Sequence, residues 1–309
     1  MKPTVICIVG PTASGKTGLS VDLAKRVNGE IISADSMQIY KGLNIGTAKI
    51  TDDEAQGIPH HLIDICDPIQ KFSVADFKQM CYDKIYDIIS RGKTPIVVGG
   101  TGLYISAIVN DMQFDEQEID EKYRNYLYNL AKDKSNEYVY NMLKEIDIEE
   151  AQKIHPNNIK RVIRALEIAK NSDKIKSLHI DEEKSRIEQN NAKYNFKIYA
   201  IDYDREKLYE RINKRVDMMI QDGLLNEATI VYNMKLPDDS TCMQAIGYKE
   251  LFPYIRGEDS LENCIQNLKQ ETRKYAKRQI TWFKNKLNVI WLSPKDNREN
   301  LVDIIIKDL

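Results

Sequence analysis

PTVICIVGPTASGKTGLSVDLAKRV, residues 3–27, passes from an apolar, β-branched run through a glycine-bounded turn into helical spacing. Its centre, GPTASGKT at 10–17, fits G-x-x-x-x-G-K-[ST], with Gly10, Gly15, Lys16 and Thr17 in the fixed positions. Strand, glycine turn and helix in that order form a phosphate-binding loop. The backbone N–H groups of Pro11–Thr17 other than proline's, the helix N-terminus and the Lys16 ammonium converge on phosphate oxygens, and the Thr17 hydroxyl suits Mg²⁺. Pro11, Thr12, Ala13 and Ser14 are therefore candidate ligand contacts along with the fixed residues. The pattern specifies phosphate and leaves ATP and other diphosphates both open.

Outward from this loop, strand-like runs recur at EIIS (30–33), TPIVVGG (94–100), NFKIYAI (195–201) and NVIWL (288–292). Helical spacing lies between them, over about 16–27, 73–92, 205–233 and 260–286, with a last helix after 292. Ser73 is a candidate N-cap, and residues 34–72 read as loop-rich. Strands alternating with helices imply an α/β fold of the P-loop NTPase type, a parallel sheet with helices on both faces. From about 112 to 193 the chain turns polar and rich in Lys, Glu, Asn and Tyr, yet IKRVIRALEIAK keeps an amphipathic period. The expected organisation is a catalytic core of 1–111 and 194–309, split by an all-helical insertion at 112–193.

The 309 residues are 42% hydrophobic and 30% charged, with a net charge of −2, as expected of a soluble globular protein. No apolar run approaches spanning length and no signal-peptide pattern opens the chain, so a cytoplasmic, monomeric protein without membrane or obligate protein partner is expected. Cys7, Cys66, Cys81, Cys242 and Cys264 form no C-x-x-C pair, and His60, His61 and Cys66 want a fourth spaced metal ligand. Net charge gives no global sign of nucleic acid, so such binding would need a local patch.

Several stretches carry candidate chemistry. In ADSMQIYKGLNIGTAK (34–49), Asp35 follows a strand and shares the carboxyl-end rim with the phosphate loop. It reads as a Mg²⁺ ligand, a general base or a helix N-cap. In VVGGTGLY (97–104), the glycines admit close approach of a ligand, or make a tight turn, beside the Thr101 hydroxyl. That strand ends in glycines where an ATP-driven enzyme usually carries a metal-binding Asp, which tilts the loop away from ATP. Arg211 and Arg215 lie four apart on one helical face, suited to diphosphate oxygens or to pairing with Glu210 or Asp217. LKQETRKYAKRQITWFKNK (268–286) sets Lys269, Arg273, Lys274, Lys277, Arg278, Lys284 and Lys286 against one local acid, Glu271, with Tyr275, Trp282 and Phe283 interleaved. That is the footprint of a phosphate-backbone binder, or a solvated face over a core stripe. IKRVIR, with Lys160, Arg161 and Arg164, is a second basic element, and together the two suggest a clamp on a large polyanion.

Together these blocks resemble the bacterial tRNA dimethylallyltransferases, or tRNA isopentenyltransferases, in order and from about residue 4 to about 292. IPHHLID (58–64), FSVADF (72–77), NNIKRVIRALEI (157–168), RVDMMIQDGLLNEA (215–228), MQAIGYKE (243–250) and TRKYAKRQITWF (272–283) belong to the same resemblance. It is to the bacterial form, without the C-terminal zinc finger of eukaryotic relatives. The resemblance implies that the loop holds dimethylallyl diphosphate, with Mg²⁺ on Thr17 and Arg215 on the leaving group. It implies transfer to the exocyclic amine of the adenosine 3′ of the anticodon, in tRNAs reading codons that begin with U. It places Asp35 on that amine as base, with Thr101 beside it. Asp35, Ser36, Met37, Gln38 and Thr101 would line the tRNA side, while Arg124, Lys160, Arg161, Arg164 and Arg278 would hold the anticodon stem-loop. A P-loop small-molecule kinase and a cytokinin-type adenylate prenyltransferase are the competing expectations.

Overall fold

A computed structural model of the chain describes residues 2–114, 120–171, 193–237 and 240–309. The helices are α1 (Lys16–Arg26), α2 (Asp52–Ala55), α3 (Val74–Ser90), α4 (Gly102–Val109), α5 (Glu121–Asp133), α6 (Asn136–Ile146), α7 (Ile148–Lys153), α8 (Ile159–Asn171), α9 (Arg205–Gln221), α10 (Leu224–Asn233), α11 (Phe252–Ile255), α12 (Leu261–Lys286) and α13 (Arg298–Asp308). The strands are β1 (Thr4–Val9), β2 (Gly29–Ser33), β3 (His60–His61), β4 (Thr94–Gly99), β5 (Asn195–Ile201) and β6 (Ile290–Leu292). The chain divides into two compact units, Met1–Met112 with Asn191–Leu309, and Gln113–Asn190.

The first unit is a six-stranded sheet in the order β3-β2-β4-β1-β5-β6, with parallel pairing throughout. β1 is central and buried along Val5–Val9, because both faces of a parallel sheet are covered by its crossover helices. On one face Leu19, Leu23 and Ile305 pack on Ile6 and Ile8, while on the other Phe77, Ile85 and Ile105 pack on Val5 and Cys7. Parallel pairing puts every strand's carboxyl end on one rim, where β1 gives way to Gly10, β2 to Ala34 and β4 to Gly100.

Local signals explain most boundaries. Ser73 caps α3 through a reciprocal pair with Asp76, Ser260 caps α12 and Asp204 caps α9. The helix expected over 205–233 is two helices. Gly223, at φ +101°, ends the first run and starts the second, a left-handed geometry that glycine takes without a Cβ penalty. β3 was not expected. It is only two residues long, and its place beside β2 comes from pairing of Ile31 with His60.

The second unit, by itself, is helical over its described residues. Leu127, Val139, Leu143, Ala151, Val162, Ile163 and Leu166 form its core. The period seen in IKRVIRALEIAK is the buried stripe Val162, Ile163 and Leu166, with Lys160, Arg161 and Arg164 exposed. No helix among the described residues is long and apolar enough to cross a membrane. The described residues hold no cluster of three or more His, Cys, Asp or Glu side chains that could bind a metal. His60 Nδ1 meets the Ile58 carbonyl at 2.8 Å, and His61 pairs with Glu30 at 2.8 Å.

Candidate active site

The turn between β1 and α1 is shaped for an anion. Gly10 has φ +137° and Gly15 φ +83°, and Ala13 between them also lies in the left-handed region at +61°. Left-handed residues interleaved with ordinary ones turn backbone N–H groups to the concave side of a loop. Gly15 caps α1 without any side chain accepting from its first turn, so those donors are available to a ligand at the positive helix end. Ser14 Oγ is buried in the loop with no hydrogen-bond partner.

Cations gather on the same turn. Lys16 Nζ donates to the Pro11 carbonyl at 2.6 Å. Burial, and then the neighbouring Arg215, lower the Lys16 pKa to about 7, with Asp35 pulling the other way. Burial also lowers Arg215, opposed by Asp35 and Glu54. Arg211 Nε donates to the Ala13 carbonyl at 2.8 Å, and its guanidinium lies 5.0 Å from the Tyr203 ring centroid. α9 therefore brings both arginines to the loop, where the residues alone favoured a solvated face paired with Glu210 or Asp217. Like charges in a half-buried site repel by several kcal/mol at about 4 Å (roughly 4 kcal/mol at an effective dielectric of 20), and a bound diphosphate reverses that sign.

Beside the phosphate loop, the rim is assembled from three further segments. Asp35 follows β2, and one of its oxygens accepts the Met37 N–H at 2.9 Å. That is an Asx turn, and no helix follows, so the helix N-cap alternative does not apply. Thr101 Oγ1 accepts the Ser36 N–H at 3.0 Å and lies 3.4 Å from Ser36 Oγ. The Tyr275 phenol bonds to Thr101 and to Gln279, and its pKa is raised by burial and then by the charge of Asp35.

The glycines of VVGGTGLY need a different explanation from close approach of a ligand. A Cβ on Gly99 would come within 2.2 Å of the Ala34 carbonyl, on Gly100 within 2.2 Å of Gln279, and on Gly102 within 2.4 Å of the Trp282 ring. The protein's own atoms occupy those spaces. Gln38 is likewise engaged internally. Its Oε1 accepts from Ser33 Oγ at 3.0 Å, and its Nε2 donates to the carbonyls of Thr47 and Ala48 at 3.2 and 3.3 Å.

Other cations are less free than the sequence implies. Arg124 makes a two-pronged pair with buried Glu167, at 2.6 and 2.8 Å, and Arg164 approaches the same carboxylate at 3.3 Å. On α12, Lys269 pairs with Asp217 at 2.6 Å, Arg273 donates to Asn213 at 2.6 Å and Lys274 pairs with Glu271 at 2.7 Å. Partners on α9 were invisible within the local run. The interleaved aromatics are not an exposed stacking face: Phe283 is fully buried, and the Trp282 N–H donates to Ser106 Oγ at 2.9 Å. Lys160, Arg161, Lys277 and Arg278 remain exposed, with Arg278 5.6 Å from the Tyr275 ring centroid.

The IPP transferase family model matches residues 38–286. The tRNA dimethylallyltransferase of Acetivibrio thermocellus is 50% identical over 305 residues, covering 99% of this chain and 96% of its own. That of Bacillus subtilis is 49% identical over 290 residues, covering 94% and 90%. The chain belongs to the IPP transferase family. Among solved structures, the tRNA isopentenylpyrophosphate transferase of Staphylococcus epidermidis matches with TM-score 0.74 and 45% identity, covering 99% and 98% of the two chains. A eukaryotic dimethylallyltransferase acting on tRNA matches with TM-score 0.77 and 30% identity, covering 99% of this chain and 80% of its own. The expectation of a P-loop-type α/β fold holds for this IPP transferase.

Two residues, Gln279 and Glu227, carried no legible role in the sequence, and Tyr275 and Trp282 were read there only as aromatics of a basic run. Gln279 and Tyr275 sit four apart on α12, with Trp282 three further on, so one helical face turns a polar-aromatic stripe to the rim. Glu227, buried on α10, accepts the N–H groups of Asn44, Ile45 and Gly46 at 2.9, 3.0 and 2.9 Å, and the Tyr248 hydroxyl at 2.8 Å. It joins the NIGTAK, DGLLNEA and AIGYKE stretches. A Cβ on Gly46 would enter the Tyr248 ring at 2.6 Å. Burying a lone carboxylate costs several kcal/mol, and charge-assisted hydrogen bonds of about 1.5–3 kcal/mol each offset it only in such numbers.

Proposed function

We propose that this IPP transferase moves the dimethylallyl group of dimethylallyl diphosphate to the exocyclic amine of the adenosine 3′ of the anticodon, in tRNAs reading codons that begin with U. The observation that carries the reading is the placing of Lys16, Arg211 and Arg215 on one loop, with Asp35 within electrostatic reach on the same rim. One side suits a departing diphosphate and the other an amine that must lose a proton.

The allylic C–O bond breaks and its electron pair leaves on the diphosphate. Lys16, the loop N–H groups, Arg211 and Arg215 stabilise that charge as it develops. The adenine amine forms the new C–N bond, and its proton passes to Asp35. Asp35 is held for this by Met37 N–H on one oxygen, which leaves the other for the amine. Thr101, fixed by Ser36 and Tyr275, stands beside it. The target base must leave its stack to reach the site. Thr17 fits a Mg²⁺ that takes most of its ligands from diphosphate and water, since the donor set is one exposed hydroxyl beside the loop and no carboxylate cluster among the described residues. Bound there, Mg²⁺ adds positive charge to the leaving group. The exposed Lys160, Arg161 and Arg278 suit the backbone of an anticodon stem-loop.

A transfer assay tests the reading. The full chain is mixed with Mg²⁺, labelled dimethylallyl diphosphate and an unmodified anticodon stem-loop carrying an A-A-A run, with AMP and an A-to-G loop as controls. Label on the A-A-A stem-loop alone is expected. Label on AMP instead points to an adenylate prenyltransferase, and turnover of ATP without any label points to a kinase.

A further inference from the structure

Gln279 lies 6% exposed under the rim, and both ends of its amide have protein partners. Oε1 accepts the Thr12 N–H of the phosphate loop at 3.1 Å, and Nε2 donates to the Gly100 carbonyl, beside Thr101, at 2.9 Å. The Tyr275 phenol, bonded to Thr101, touches the same amide. A Cβ on Gly100 would fall 2.2 Å from Gln279 Nε2, so a side chain there would displace the amide. One side chain thus ties the loop assigned to the leaving group to the loop assigned to the acceptor. Thr12 lies before the helix-capping end of the phosphate loop, so the tie leaves the donors at Gly15–Thr17 available.

We infer that Gln279 is a positioning residue that sets the distance between the breaking C–O bond and the attacking amine. The inference rests on the transferase reading above. Gln279 bonds to the backbone of both loops and leaves the donors at Gly15–Thr17 untouched, so its loss should act on the alignment of two bound substrates before the binding of either. A misplacement on the order of 1 Å between reacting groups costs about 100-fold in rate.

Two variants of the full chain test it, assayed with Mg²⁺, dimethylallyl diphosphate and the A-A-A stem-loop. Gln279→Met keeps the volume and removes both hydrogen bonds. It is expected to lower kcat by about 100-fold, with each substrate's KM within about twofold of wild type. Gln279→Glu supplies a readout that packing alone would not move. A protonated carboxyl reproduces the amide, its carbonyl accepting from Thr12 and its O–H donating to Gly100. An ionised one sets an oxygen against the Gly100 carbonyl. Lys16 and Arg215 face the phosphate loop, Tyr275 touches the same amide and the charge of Asp35 reaches all three, so the pH dependence of Gln279→Glu is read against that of the wild type. The ratio of kcat, variant to wild type, is expected to rise as pH falls from 8 to 6, because protonation restores the amide-like hydrogen-bond pattern. A Gln279→Met enzyme with wild-type kcat, a loss confined to KM, or a Gln279→Glu ratio that stays flat with pH overturns the inference. Where Gln279→Met does not fold, the Gln279→Glu ratio decides alone. A wild type that transfers no label overturns the transferase reading and this inference together.

Discussion

The two halves of the site are built in opposite ways. The phosphate loop is eight consecutive residues, Gly10–Thr17, between a strand and the helix it caps, with Arg211 and Arg215 brought to it from α9. The acceptor side takes Asp35 and Ser36 from after β2, Thr101 from after β4 and Tyr275 from α12, while Glu227 on α10 holds the loop that follows. A phosphate asks for convergent N–H groups, which one short turn supplies. An amine that must lose a proton asks for a base and its supports from several directions, which no short turn supplies. The donors of the first kind of site lie in one run of sequence, and those of the second are gathered from several.

The sharpest way to break this comparison is at Asp35. Asp35→Ala should lower turnover by about 10²–10⁴-fold, the range for a positioned proton acceptor, while stem-loop affinity stays within a few-fold. Near-normal turnover would remove Asp35 as the base and leave the rim's acceptor side without its chemistry.

Lys16→Ala tests the other half and should act on the prenyl substrate alone. A loss of about 10²–10³-fold in kcat/KM for dimethylallyl diphosphate is expected, with the stem-loop KM unchanged. The lysine also gives this half a pH signature. Its pKa is about 7 in the unliganded protein, lowered by burial and Arg215. A diphosphate favours the charged ammonium, so binding above pH 7 takes up a proton and affinity falls as pH rises past 7. Calorimetry at pH 8 in buffers of different ionisation enthalpy should show more proton uptake for wild type than for Lys16→Ala, and no such difference at pH 6. The same depressed pKa makes the unfolded chain bind the extra proton between about pH 7 and the ordinary lysine range, so this group's penalty on folding is relieved as pH rises through that window.

How much of this was readable follows the same division. β1, the loop, α1, β5 and α12 could be placed nearly to the residue, because strand period, glycine position and caps are local signals. Asp35 could be placed on the rim from its strand end alone, whereas Arg215 was legible only as one of two arginines on a helical face. The Gly99–Gly102 run looked like room for a ligand, since a sequence does not show that Ala34, Gln279 and Trp282 fill that room. Nothing local singled out Glu227, because the backbone N–H groups it accepts lie 181 to 183 residues away. Arg124 looked free because Glu167 stands 43 residues on. What was missed is side-chain pairing across long separations, which no local period encodes.

Glu227 gives the comparison its next test. Glu227→Gln keeps one acceptor but turns an amide N–H₂ toward backbone donors of Asn44–Gly46. Leaving such donors unpaired should cost about 1–3 kcal/mol of stability, read from the denaturant midpoint. If the loop serves the acceptor half alone, the stem-loop KM rises while the KM for dimethylallyl diphosphate holds. An equal rise in both would mean that the two halves share this support.

The smallest effects should come from the exposed cations, and they separate a phosphate-binding side chain from a solvated surface charge. Arg161→Ala and Arg278→Ala remove side chains that are exposed and outside the phosphate loop. If each of them neutralises one phosphate, its removal should reduce the slope of log affinity for the stem-loop against log salt by about 0.7–0.9, and weaken binding modestly at physiological ionic strength. Arg124→Ala should behave differently, because its guanidinium is already paired with Glu167. Removing it leaves the buried carboxylate with Arg164 alone, at 3.3 Å, so stability should fall by more than the salt slope changes. If Arg124→Ala instead gives the full slope change with stability intact, the Glu167 pair opens on binding, and the arginine belongs with the RNA-binding cations after all.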